Sequence, residues 1–91
     1  MKVYPLMVGN VDIEGEDSLD GVYYTSESAM TEAQKQALHL QNEEAADGND
    51  YAIVSVPVTD KPGYVGYVSL SRDDPEAPDY WWWIKETDLR V

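Results

Sequence analysis

Ninety-one residues with 18 carboxylates against six Lys and Arg carry a formal charge of −12, a field that repels nucleic acid and anionic membranes and attracts basic surfaces. A hydrophobic fraction of 43% excludes intrinsic disorder and supports one small acidic domain over residues 1–91. The lack of cysteine excludes disulfides and thiolate metal ligands, and no apolar run approaches the roughly 18 residues that cross a bilayer.

The N-terminal run from Lys2 to Val8 is rich in β-branched, aromatic and long apolar residues and stops at the turn signal Gly9-Asn10, which predicts a strand. It begins without the basic and apolar regions of a signal peptide, so a cytoplasmic location is expected. Pro5 cannot donate to a ladder and places the strand at an edge, or paired on one side at that point. From Val11 to Gly21 the chain is acidic and turn-rich, predicting a loop that leads into a short strand at Val22-Tyr23-Tyr24.

Thr25, Ser26 and Ser28 are candidate N-caps for a helix from about Glu27 to Ala46, and Glu27 and Glu32 favour the positive end of its dipole. At 100° per residue Ala29, Met30, Ala33, Ala37 and Leu40 form one narrow stripe, while Lys35, His39 and Glu43 point away. Gly48 suits the C′ position; a start at Thr31, with Gln34 completing a capping box, is the alternative. Tyr51 to Val58 and Tyr64 to Ser71 read as strands joined by the turn Thr59-Asp60-Lys61-Pro62-Gly63, an antiparallel hairpin with Gly66 at a bulge. After the acidic, proline-broken loop Asp73 to Asp79, a last strand from Tyr80 to Lys85 carries Trp81, Trp82 and Trp83.

The expected fold class is α+β: an antiparallel or mixed sheet of four to five strands in the order β-β-α-β-β-β, with the helix packed across one face. Alanine has too little volume to build a core with another helix, so the stripe should meet Val54, Val56, Val68 and one tryptophan face of the sheet. The stretch Gly21-Val22-Tyr23-Tyr24-Thr25-Ser26-Glu27-Ser28-Ala29, followed by Tyr51-Ala52-Ile53-Val54, resembles a pattern in small uncharacterised bacterial and phage domains. That resemblance implies a small α+β sheet with one helix and brings no activity or site residues.

Tests for chemistry find little. Asp12-Ile13-Glu14-Gly15-Glu16-Asp17 suggests a calcium loop, but an EF-hand begun at Asp12 needs glycine where Asp17 stands and glutamate where Tyr23 stands. His39 is the only histidine and belongs to the helix's polar face, so a catalytic triad or histidine metal site has nothing to build on. Carboxylate pairs arise by chance among so many acids, and no glycine-rich phosphate loop exists. The expectation is therefore a protein without enzymatic activity, cofactor or metal.

The acids cluster in three places, five between Asp12 and Asp20, four between Glu43 and Asp50 and four between Asp73 and Asp79, all at predicted loops or helix ends. Duplex DNA presents a negative charge about every 1.7 Å, a field that a small acidic protein can imitate. The functional expectation is an acidic inhibitor or interaction protein, of the kind a phage or mobile element encodes. It would mimic nucleic acid and block a basic DNA- or RNA-binding surface of a host defence or DNA-processing protein in a bacterial cytoplasm, without itself binding nucleic acid or membrane. Asp12, Glu14, Glu16, Asp17, Asp20, Asp73, Asp74, Glu76 and Asp79 are the candidate partner-binding acids, joined by Trp81 and Trp83. In a strand Trp82 faces opposite to Trp81 and Trp83. The second pair is either partly covered by the Asp73 to Asp79 loop or stands exposed as an aromatic anchor flanked by carboxylates. The alternative function is a structural or regulatory adaptor that binds a protein partner, or itself as a homodimer, through exposed Tyr and Trp side chains.

Overall fold

The computed structural model describes residues 1–12, 17–74 and 76–89. They form one antiparallel sheet with one helix across it: β1 (Lys2–Asn10), β2 (Ser18–Tyr23), α1 (Ser26–Ala46), β3 (Ala52–Pro57), β4 (Tyr64–Ser71), β5 (Tyr80–Lys85) and a two-residue β6 (Thr87–Asp88). The strand order is β2-β1-β5-β4-β3, with β6 also paired to β1. The α+β class and the single packed helix are as the sequence predicts, with β6 as an additional strand.

The helix begins where a side chain can cap it. Thr25, in extended conformation, accepts the Ser28 N–H on its hydroxyl at 3.1 Å. It ends in a Schellman arrangement: Gly48 N–H donates to the Ala45 carbonyl at 3.1 Å and Asn49 N–H to Glu44 at 2.8 Å. Gly48 takes φ 86°, which a side chain would strain. Between these ends Ala29, Ala33 and Ala37 are fully buried, stacked at intervals of four residues on Leu6, Val68, Leu70, Trp82 and Ile84. Met30 and Leu40 flank that cluster, and Lys35, His39 and Glu43 face water.

Trp82 is 1% exposed. A buried indole N–H needs an acceptor, and Gln36 Oε1 on the helix supplies it at 3.0 Å. The Gln36 amide also donates to Asp20 Oδ2 at 2.9 Å and Glu32 Oε1 at 3.2 Å, so one side chain ties the core to β2.

Several boundaries and faces differ from the sequence reading. β2 starts at Ser18 rather than Val22, because Leu19 and Ser18 pair with Met7 and Val8 on β1; the register skips Asp20, which turns toward Gln36. Of the two placements Pro5 allowed, β1 takes the second, inside the sheet with one-sided pairing at that residue. Pro5 is accommodated because it pairs only with Val22 on β2, at the step where the opposite partner changes from β5 to β6. β4 does bulge beside Gly66, but in its pairing with β5, where the register jumps from Tyr64 to Gly66; the β3–β4 hairpin pairs without a shift. Val68 and Trp82 do lie under the helix, but Val54 and Val56 do not. Register places Ile53 beside Leu70 and Ser55 beside Val68, turning the valines to the outer face. Both faces of β3 read as apolar, so its phase depended on the hairpin register.

Ala33→Glu or Ala37→Glu brings an unpaired carboxylate onto Trp82 and Leu70 and should destabilise the domain by about 3 kcal/mol or more. His39→Ala should be nearly silent, since the His39–Glu43 pair at 2.9 Å is exposed. Thermal melts giving the reverse order would show that the buried face of α1 is assigned wrongly.

Candidate functional site

Strand register decides where the acids meet. Asn10 at the end of β1 pairs with Tyr80 at the start of β5, Tyr80 with Leu70 near the end of β4, and Ser71 with Ala52 at the start of β3. The loops 11–17, 47–51 and 72–79 therefore leave the same end of the sheet, and α1 delivers its C-terminus there as well. Backbone bonds join these loops to one another and to the strands: Val11 N–H donates to Asp79 O at 3.1 Å, and Asp79 N–H donates to Leu70 O at 3.0 Å. The Asp79 carboxylate accepts the Arg72 N–H at 3.1 Å.

Described members of all three acidic clusters consequently meet at one end of the molecule. Asp12, Asp47, Asp50, Asp73, Asp74 and Glu76 are exposed there, and Asp17, Glu44 and Asp79 are half-buried, with Arg72 as the basic residue of the 72–79 loop. The helix dipole adds its negative pole, and the last turn of α1 contains no basic residue to offset it.

Tyr51 and Tyr80 sit among these groups, edge to face with ring centroids 6.2 Å apart. Burial pushes both phenols above their ordinary value of 10. Asp79, Glu44 and Asp73 raise Tyr51 further, against Arg72, and Glu44, Asp12 and Asp79 act likewise on Tyr80. Acids from loops 11–17 and 72–79 and from the last turn of α1 thus act on one aromatic pair. Glu44 is itself positioned by Asn49, whose amide donates to Oε2 at 3.0 Å, and Gln41 holds Tyr51 by donating to its carbonyl at 2.8 Å.

Of the expected partner-binding residues, Asp12, Asp17, Asp73, Asp74, Glu76 and Asp79 share this end. Asp20 does not, because the β-bulge carries it onto the helix side, where Gln36 binds it. Glu14 and Glu16 lie outside the described residues. Glu44, Asp47, Asp50, Tyr51 and Tyr80 were missing from the expected set; the 43–50 cluster was visible in the sequence, but its position beside the other two follows only from strand order.

The tryptophans of the outer face part company. Trp81, half-buried, donates its indole N–H to Asp17 Oδ1 at 3.0 Å and lies over Gly9, where a Cβ would collide with the ring and with that carboxylate. Trp81 therefore borders the acidic end. Trp83 lies further along β5 against Tyr67 and Tyr64, with Lys61 over its ring. Flanking carboxylates describe the first and not the second. The 72–79 loop makes backbone bonds to Val11 and Leu70.

Among the described residues no group of three or more His, Cys, Asp or Glu is arranged to hold a metal, and no helix is long and apolar enough to cross a membrane. A cavity of about 350 Å³ between the start of α1 and the β3–β4 hairpin is lined by Met30, Pro57, Val65 and Ile84, with Glu27 its one ionisable residue. In comparisons with known proteins, no family model, curated sequence or solved structure matches the chain.

Two measurements test it. Because Tyr51 and Tyr80 hold their protons more tightly when folded, their contribution to stability is complete below pH 10 and is lost as pH rises through their folded-state values. Tyrosinate absorbance should show a late-ionising group of phenols, Tyr23 and Tyr67 among them, that shrinks by one with each of Tyr51→Phe and Tyr80→Phe. Salt should draw the ionisation downward by screening the acids above about 0.1 M, leaving the burial contribution. Gly9→Ala should displace the Trp81 ring, break its bond to Asp17 and cost about 1–3 kcal/mol, read as a lower melting temperature and a changed Trp81 indole resonance.

Proposed function

We propose that this protein is a non-enzymatic inhibitor that presents its acidic end to the basic nucleic-acid-binding surface of another protein. The observation that carries the reading is the convergence of loops 11–17, 47–51 and 72–79 at the pole where α1 ends. Two further features support it. The carboxylates are displayed on a sheet end tied by backbone bonds, which limits the entropy lost on binding. The helix also ends there with Glu43 and Glu44 and no cation in its last turn, an arrangement unfavourable for the helix itself.

A groove shaped for DNA meets a phosphate charge about every 1.7 Å along the duplex, and a dense set of fixed carboxylates competes for the same Lys and Arg. The target class proposed is a host defence or DNA-processing protein, which puts the pair in the cytoplasm and makes a phage or mobile element the implied source. A second reading, an adaptor that binds through its aromatic face, draws on a different observation. Leu19 and Val22 on β2 and Val56 on β3 are 59%, 54% and 40% exposed, and the outer-face tryptophans stand on β5 between those strands.

Charge placement separates a docking end from general acidity. Asp47, Asp50 and Asp73 changed together to Lys take the net charge from −12 to −6, and Glu27, Asp60 and Asp88 changed to Lys reach the same −6 away from that end. Capture of a basic partner should fall at least about tenfold with the first triple and change little with the second. The captured partner should be released by duplex DNA and by raising salt from about 50 to 200 mM. Equal loss with both triples, or a partner without a basic surface, would overturn the proposal.

A further inference from the structure

The outer face holds a second arrangement that the acidic end does not use. Trp83 and Tyr64 make a corner, ring centroids 5.1 Å apart and planes at 70°, and Tyr67, the register partner of Trp83 on β4, lies against the indole at 4.3 Å. The turn between β3 and β4 places Lys61 in that corner, its Nζ 4.4 Å from the Trp83 centroid and 4.6 Å from that of Tyr64. Lys85 adds a second ammonium 5.6 Å from Tyr64.

The choice Lys61 makes is informative. In a chain with 18 carboxylates, with Asp60 its immediate neighbour in sequence, Lys61, like Lys35 and Lys85, has no ion pair among the described residues. Its charged head rests on two π faces instead. Such a contact at an exposed site is weak, and a strongly hydrated ammonium loses little on returning to water. Lys61 is exposed and Trp83 and Tyr64 are half-buried, so the corner is open on the side from which Lys61 enters.

We propose that the Trp83–Tyr64 corner is a recognition site for an arginine side chain of a protein partner, with Lys61 as its displaceable internal occupant. A guanidinium suits the corner better than the resident ammonium, because its plane can stack on the Trp83 ring while its edge lies against Tyr64, and it gives up its hydration more readily. The negative charge of the whole chain draws cations toward the protein, but at the corner itself Lys61 and Lys85 oppose them, so selection there rests on the rings. This site stands apart from the acidic end and does not require that end to bind anything.

The test follows the three indole N–H resonances of the intact protein while N-acetyl-arginine amide is added, against N-acetyl-lysine amide and sodium chloride at equal ionic strength. Trp82, buried with its N–H held by Gln36, serves as the internal reference, and Trp81, whose N–H is held by Asp17, reports separately on cation binding at the acidic end. The arginine derivative should shift the Trp83 resonance selectively and saturably. Lys61→Ala, a change in an exposed turn, should lower the half-saturating concentration roughly two- to fivefold, the factor set by one competing contact of this kind. Tyr64→Leu, its fold verified by an unchanged Trp82 resonance, should raise it by a similar factor. A Trp83 response no greater than that to sodium chloride, or one unaffected by Lys61→Ala, would overturn the site, and an equal response to the lysine derivative would overturn its selectivity for guanidinium.

Discussion

The rest of the structure depends on Trp82 lying beneath an alanine stripe. Three fully buried alanines one turn apart let the helix backbone descend onto the sheet, and the space they leave is filled by the largest side chain in the chain. Burying an indole at that depth strands its N–H unless an acceptor comes with the helix, and Gln36 is that acceptor. Truncating a buried tryptophan costs about 3–5 kcal/mol and a single hydrogen bond nets about 1, so packing sets the stability while Gln36 sets the rotation of the helix. The same amide reaches Asp20, which fixes how the β2 edge meets the helix.

With the helix placed, the distribution of charge follows from topology. Its C-terminus, the β1–β2 connection and the β4–β5 connection must emerge at one end of an antiparallel sheet in the order β2-β1-β5-β4-β3. Charges dispersed along the sequence become neighbours there. Their mutual repulsion opposes folding and is tolerated because most of them remain in water, where screening is strong. The helix terminus compensates by backbone means: the Schellman bonds at Gly48 and Asn49 satisfy carbonyls that a basic residue would otherwise help to cover.

Among the described residues no helix lies on the outer face of the sheet, which is finished by side chains. Trp81 and Trp83 lie on it as half-buried plates, the first fastened to a carboxylate and the second to tyrosines and lysines. Adjacent on alternate positions of one strand, they belong to opposite electrostatic surroundings, because β5 runs from the acidic end toward the end where the β3–β4 turn folds back.

What the sequence determined by itself was local. The alanine period of four and the terminal glycine mark α1, and the expected start at Glu27 falls one residue from the observed Ser26, although Thr25, Ser26 and Ser28 all offered caps and Thr31 an alternative start. The Thr59 to Gly63 turn defines the hairpin, and alternation along Tyr80 to Lys85 sends Trp82 away from its neighbours, because each of these features depends on residues a few positions apart. The phase of β3 was not legible, since valine, isoleucine and tyrosine suit either face and only pairing with β4 chose between them. Nor was the union of the acidic clusters, or the meeting of Lys61 with Trp83 across 22 positions of chain. Those depend on strand order and register, which long-range pairing decides and local chemistry does not encode.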